Sequence, residues 1–264
     1  MLELLISATG KSVNGINKNV KSMRKASCTV ICQNREEEVI PEDIAGNGNV
    51  RVYSYAERGV SKSRNRALRA MSEPIALLSD DDVVFLSGFE EKIIAAFDKN
   101  PYADIICFQI LNQEGKLFKD YYRCERSLSK LNCFKVSSIE IAFRSDRVRS
   151  SGLVFDEYFG LGSRYPLGEE TIFLCDALDK GLKVHYVPET IAIHPSNSSG
   201  RVHSREKIIA RGAQLRRIYR NTSCLWALLF ALKKKGEYSG EYTIGQYFNL
   251  LKLGIKDYEK VCVN

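Results

Sequence analysis

The strongest constraint on the fold is the stretch Leu77, Leu78, Ser79, Asp80, Asp81, Asp82, Val83, in which an apolar strand-like segment stops at three consecutive carboxylates. Adjacent carboxylates repel, and three at the mouth of a strand call for a positive partner, for which a divalent cation bound through oxygens is the commonest solution. A solvated turn between strand and helix is the alternative. Similar apolar runs occur upstream at Leu2–Ala8, broken only by Glu3, at Cys28–Cys32 and at Val50–Tyr55. With helical stretches between them over 13–23 and 62–71, they predict buried strands of a parallel sheet in an α/β domain.

In open α/β sheets ligands bind beyond the carboxyl ends of the strands. That makes the amides Gln33 and Asn34 candidates to read a nucleotide base, although both would equally suit a plain turn. After Gly59 the spacing predicts a helix from Lys62 capped by Ser61, with Ser63, Arg64 and Asn65 in its first turns. Arginines early in a helix oppose the macrodipole. A diphosphate or the Asp80–Asp82 carboxylates would compensate Arg64.

Downstream, Gly88–Phe97 reads as an amphipathic helix, Asp104–Leu111 as a strand, residues 117–135 as an insertion over the site, and Ser137–Phe143 as a further strand. The glycine- and aromatic-rich run from Gly152 to Gly168 precedes Glu169 and Glu170, which open a helix ended by Gly181. Acids in a first helical turn stabilise the dipole by about 0.3–1 kcal/mol and need no further duty. A strand follows from Leu182, then a separate last strand over Thr190–His194, and the polar loop 195–200 reads as a lid. His194 is placed to be a metal ligand, a diphosphate contact or a structural residue; His185 is assigned to packing and His203 to a loop.

The hydrophobic and charged fractions, 44% and 27%, exclude disorder as the dominant state. The chain carries +7, but residues 201–235 alone carry +9, which points to an anionic partner for the C-terminal part: a membrane surface, a phosphorylated acceptor or nucleic acid. The apolar run Cys224–Leu232 runs into Lys233, Lys234 and Lys235, as an interfacial or a buried helix would, and one more amphipathic helix is expected over Tyr242–Tyr258. Eight scattered cysteines form no C-x-x-C pair, which fits reduced thiols in a cytoplasmic protein; no signal peptide or membrane-spanning run is apparent.

"GVSKSRNRAL" from Gly59, followed some twenty residues later by "LLSDDDV", resembles family 2 glycosyltransferases of the GT-A type in order and spacing. The unit of glycine loop, acidic pair, helix and strand ending in Val-Pro resembles that family's acceptor-site signature. The resemblance covers about residues 2–195 and implies a GT-A fold: one Rossmann-like α/β/α domain with a mixed, mainly parallel sheet, plus a C-terminal helical extension. The implied division is a catalytic domain over 1–200, with its nucleotide-sugar part at 1–112 and acceptor part at 113–200, and a basic extension at 201–264.

It further implies an inverting, metal-dependent transfer from a nucleotide-sugar donor, a UDP-sugar, to a hydroxyl of a glycan or lipid-linked acceptor. Ser7, Gln33, Asn34, Gly59, Ser63, Arg64, Asp80 and Asp81 would hold the donor, and Asp80, Asp82 and His194 would hold Mn²⁺ or Mg²⁺. Either Asp80 and Asp82 form the metal pair, or Asp80 touches ribose while Asp81 and Asp82 face the metal. The family's acidic pair usually ends in Asp; here Glu170 takes the base's position, and whether it or Glu169 reaches substrate stays open. Bacterial capsular and O-antigen enzymes look most similar, which implies work at the cytoplasmic face of the inner membrane; a homodimer is left open. A nucleotidyltransferase would carry a stronger glycine-rich phosphate loop than "SATGKSVNG" after its first strand. A nucleic-acid-binding protein would interleave aromatics with its basic residues, and nucleic acid is not an expected partner.

Overall fold

Strand β1 (Leu2–Thr9) is buried on both faces: Leu2, Leu4 and Ile6 join one apolar cluster and Leu5 another. Such a run suits a central strand covered by helices on both sides. The structure, a computed structural model, describes residues 1–9, 23, 25–33, 49–194 and 204–263. Strands β2 (Ser27–Gln33), β3 (Val50–Tyr55) and β4 (Ile75–Asp80) lie parallel to β1 in the order β3-β2-β1-β4. Past β4 the sheet becomes mixed. β8 (Ile141–Arg144) is antiparallel to β4 and to β6 (Ile105–Leu111), and β9 (Val184–Ile193) is parallel to β6. The short β5 (Val84–Phe85) and β7 (Arg126–Ser127) pair antiparallel with β9.

The chain order reverses between β1 and β4, and a crevice opens at such a switch point beyond the strand ends. Ser7 and Asp80 are register partners there. Helix α1 (Val60–Ala70) packs Ala67 and Leu68 on the Leu5 face, and α2 (Phe89–Lys99) packs Phe89, Ile93, Ala96 and Phe97 on the opposite face. Helix α3 (Glu169–Asp179) lies on the α1 side, burying Ile172, Phe173, Leu174 and Cys175. Each fully buried side chain of this kind contributes about 1.5–3 kcal/mol, so α3 is fixed by packing before any polar contact is counted.

Three long helices follow among the described residues: α4 (Arg205–Tyr219), α5 (Ser223–Lys233) and α6 (Ile244–Val263). Ala210, Ala213 and Ile218 of α4 and Tyr258 of α6 belong to the same cluster as α3, so the C-terminal helices share a core with the sheet. Where α4 crosses α6, a Cβ on Gly212 would stand 2.0 Å from the Leu251 carbonyl oxygen, and one on Gly254 would stand 1.8 Å from that of Ile209. Backbone touches backbone, and only glycine fits at either position. On α5, Ala227 and Ala231 face inward while Leu225, Leu228, Leu229 and Leu232 are 40–58% exposed. No described helix is long and apolar enough to cross a membrane.

Several elements differ from the sequence reading. Helix α1 starts at Val60 with Gly59 as its cap at φ 122°, and Ser61 does not cap because its hydroxyl donates to the Phe159 carbonyl (2.6 Å). Over Ser137–Phe143, Ser137 and Glu140 close a capping box around a 3₁₀ turn, and the strand begins only at Ile141. The two strands expected at 182–194 are one: β9 continues through Pro188, where its pairing with β6 is irregular and the missing N–H is tolerated. Residues 117–135 carry β7 alongside β9 and place Phe118 against His194. The helix expected over 13–23 (Met23 excepted), Asn34, the 195–200 lid and His203 lie outside the described residues.

Candidate active site

A cavity of about 730 Å³ lies beyond the carboxyl ends of β1, β2 and β4, a size suited to a nucleotide-like ligand. Ser7, Gln33, Gly59, Ser63, Arg64, Asp80, Asp81, Asp82, Glu169, Glu170 and His194 all line it, so residues far apart in sequence converge here.

Arg64 is the hub. Its side chain is 4% exposed, its Nη1 donates to Glu169 Oε1 at 2.7 Å, and its Nη2 donates to Asp80 Oδ1 at 3.1 Å. The early arginine that seemed to oppose the α1 dipole is thus compensated by two carboxylates from different elements. Asn65 is buried beside it and has a structural task. It donates to the Phe155 carbonyl and to Glu157, and it accepts from the Phe155 N–H, pinning the loop that leads to α3.

That loop needs its glycines. A Cβ on Gly160 would stand 2.6 Å from Val60 Cγ1 and 3.2 Å from Glu169 Cδ, and Gly168, the cap of α3 at φ 90°, has Gln214 of α4 pressed against it. The Gln214 amide donates to the Gly168 carbonyl at 3.1 Å. The loop, α1 and α4 therefore set jointly where Glu169 and Glu170 stand. Glu169 is committed to Arg64. Burial pushes the Glu170 carboxyl up, and the adjoining Glu169 adds to the effect while Arg64 opposes it.

At the strand end the three aspartates face different partners. Asp80 meets Arg64, Asp81 Oδ2 accepts from the Thr9 N–H at 3.4 Å, and Asp82 Oδ1 lies 3.4 Å from His194 Nε2. The hydrogen bond from His194 holds the Asp82 carboxyl below the usual carboxylate range. The ring of Phe118 meets the His194 ring edge-on with centroids 5.7 Å apart. Among the described residues no group of three or more His, Cys, Asp and Glu is gathered for a metal. The donor chemistry of Asp82 and His194 nevertheless fits one half of a Mn²⁺ or Mg²⁺ site, the kind that takes one or two carboxylates and completes its shell with substrate phosphates and water.

At the ends of β1 and β2, the Gln33 amide is used at both ends on Gly59, donating to its carbonyl (2.9 Å) and accepting from its N–H (3.2 Å). Ser63 donates to Ser7 at 2.9 Å. Arg58, Ser137, Ser138, Lys207 and Arg211 also line the cavity and were not read from the sequence as site residues. Lys207 and Arg211 sat within the basic run assigned to a partner surface; their i, i+4 spacing, which puts both on one face of α4, was the available signal.

Sheet order, switch-point crevice and acidic strand end make this a GT-A fold. Residues 33–153 match the family model described as Glycosyl transferase family 2. The matched stretch contains the Gly59–Arg64 and Asp80–Asp82 motifs and stops before Glu169. No curated protein matches the sequence. Solved structures share the fold. S. aureus TarS 1-349 in complex with UDP is 13% identical at TM-score 0.61, over 92% of this chain and 75% of that one. S. aureus TarS 1-349 in complex with UDP-GlcNAc is 11% identical at TM-score 0.63, over 98% of this chain and 92% of that one.

Proposed function

We propose that this protein moves a sugar from a UDP-sugar to a hydroxyl of a glycan acceptor, inverting the anomeric carbon. The observation that carries the reading is the double engagement of Arg64, which ties the acidic strand end and the acidic helix start to a single cavity. The family match to the first two motifs supports the reaction class, and the UDP and UDP-GlcNAc complexes of the S. aureus TarS neighbours support the donor class.

Asp80, Asp81, Ser7, Ser63 and the Gly59 backbone bind the donor, and Arg64 fixes the acidic end of its site. Mn²⁺ or Mg²⁺ held by Asp82 and His194 would supply Lewis-acid neutralisation of the departing diphosphate. Glu170 is the base. With Glu169 already paired to Arg64, Glu170 takes the acceptor hydroxyl proton as that oxygen bonds to the anomeric carbon. The bond from that carbon to the diphosphate oxygen breaks in the same step, its electrons leave with UDP, and displacement from the opposite face inverts the centre.

The acceptor belongs to bacterial surface polysaccharide of the capsular or O-antigen kind and is lipid-linked, with the enzyme resting on the cytoplasmic face of the inner membrane. The support is the exposed leucine stripe of α5 running into Lys233 and Lys235, apolar area and positive charge together, as an anionic lipid surface requires.

A thermal-shift screen of nucleotide-sugars with and without Mn²⁺ tests the core of the reading. Metal-dependent stabilisation by UDP-sugars is expected, with loss of the metal dependence in Asp82→Ala. Release of pyrophosphate from nucleoside triphosphates, with no response to nucleotide-sugars, would make the protein a nucleotidyltransferase instead.

A further inference from the structure

Of the cavity's cations, Arg64 is spent on Asp80 and Glu169, but Lys207 and Arg211 have no carboxylate partner among the described residues. Arg211 is held in place by neutral groups: it donates to the Gln214 side-chain oxygen and lies 5.8 Å and 5.6 Å from the ring centroids of Phe134 and Phe230. Aromatic rings at that distance orient a guanidinium without cancelling its charge. A cation kept unpaired in a partly desolvated position is costly, and the cost is relieved when an anion arrives.

The position of the pair indicates which substrate brings the anion. Both residues lie on one face of α4, whose Gln214 braces the cap of α3, the helix that carries Glu170. Arg211 donates to Gln214, which in turn donates to the Gly168 carbonyl, so Arg211 is tied through one side chain to the residue that caps the base's helix. The pair therefore stands at the base's end of the cavity.

We infer that Lys207 and Arg211 form a phosphate subsite for the acceptor, so that the substrate accepting the sugar carries a phosphate close to its reacting hydroxyl. The inference rests on the glycosyltransferase reading above and adds the acceptor's chemical class to it. A lysine and an arginine one helical turn apart can contact separate oxygens of one tetrahedral dianion, which a single planar carboxylate matches less well.

The test uses the full chain saturated with UDP and Mg²⁺, so that donor phosphate sites are filled. Glycerol 3-phosphate, glycerol and glycerate are then titrated by calorimetry. Glycerol 3-phosphate should bind and glycerol should not, with glycerate clearly weaker. Lys207→Gln and Arg211→Gln should each weaken glycerol 3-phosphate by about tenfold, roughly the loss of one charge-assisted contact, while UDP affinity stays within about twofold. Lys207→Gln is the control for folding, since that side chain is partly exposed and holds no other residue in place. Equal binding of glycerate, no binding of glycerol 3-phosphate, or an unchanged affinity in Lys207→Gln would overturn the phosphate subsite while leaving the transferase intact. Loss of UDP binding in Lys207→Gln would assign the pair to the donor, and failure of the wild type to bind UDP would remove the glycosyltransferase reading itself.

Discussion

Arg64 Nη1 and Glu169 Oε1 meet at 2.7 Å although 105 residues separate them. The bond joins the start of α1 to the start of α3, and the same guanidinium reaches Asp80 at the end of β4. One side chain thereby sets the spacing between the two acidic parts of the cavity and leaves Glu170 as the neighbouring carboxylate with no ion pair among the described residues.

Arg64→Met should cost about 3–5 kcal/mol of unfolding free energy in a denaturant titration, because it strands the buried Glu169 carboxylate and removes the partner of the half-buried Asp80. It should also raise the pH needed for turnover, since Arg64 is the charge that draws Glu170 down. A loss below about 1 kcal/mol, the scale of an exposed pair, would contradict the hub role.

Glu170→Gln should keep donor binding and lose transfer by about 10²–10⁴-fold, the usual worth of a positioned general base. The pH profile follows from the raised carboxyl. Below its folded value the group is protonated and inactive as a base, so the wild-type rate should climb as pH rises through it. For stability the sign is opposite. The folded state holds a proton that the unfolded state releases at lower pH, so ionising Glu170 destabilises the fold as pH rises, and Glu170→Gln should melt at a higher temperature than wild type at neutral pH. A variant that turns over at the wild-type rate sinks the base assignment.

Glu3 gives the contrasting case, far from the cavity at the other end of β1. Burial pushes its carboxyl up, but hydrogen bonds from Thr29, Glu73 and Ser72, with Arg51, outweigh that and hold it low. Its contribution is present above the unfolded carboxylate value and is lost as pH falls below about 4.5. Glu3→Gln should therefore lower the melting temperature at pH 7 and narrow its gap to wild type near pH 3, with donor affinity unaffected.

Gly212→Ala and Gly254→Ala should each separate α4 from α6, because the added methyl would overlap a backbone carbonyl. Overpacking of this kind costs about 1–3 kcal/mol. Since α4 also carries Gln214, transfer should fall by more than the unfolded fraction explains, as stability and rate measured on the same samples would reveal.

Leu228→Ser with Leu232→Ser should reduce flotation with vesicles containing anionic phospholipid without lowering thermal stability, because both side chains are exposed. Wild-type protein should float less as salt rises and should not float with purely zwitterionic vesicles. Equal flotation of wild type and variant would discard the membrane-resting part of the proposal.

The strands were legible because each is an uninterrupted apolar run, and the crevice followed from where those runs end. Arg64 was legible as an anomaly, a cation where a helix start disfavours one. What the sequence concealed was contact across distance. Ser61 looks like a cap until Phe159 offers its carbonyl, Gln33 looks like a reader of bases until Gly59 takes up both ends of its amide, and Arg211 looks like one charge in a basic run. Local pattern carries periodicity and end signals; it does not say which side chains from remote segments will compete for the same partner.

The brace from Gln214 to Gly168 bears on how chains of this fold can be recombined. A chimera that grafts foreign C-terminal helices onto the sheet would inherit the acidic strand end intact and receive an α3 helix whose first turn has lost its anchor. Productive exchange would have to move the glycine loop, α3 and α4 together, as a single cassette.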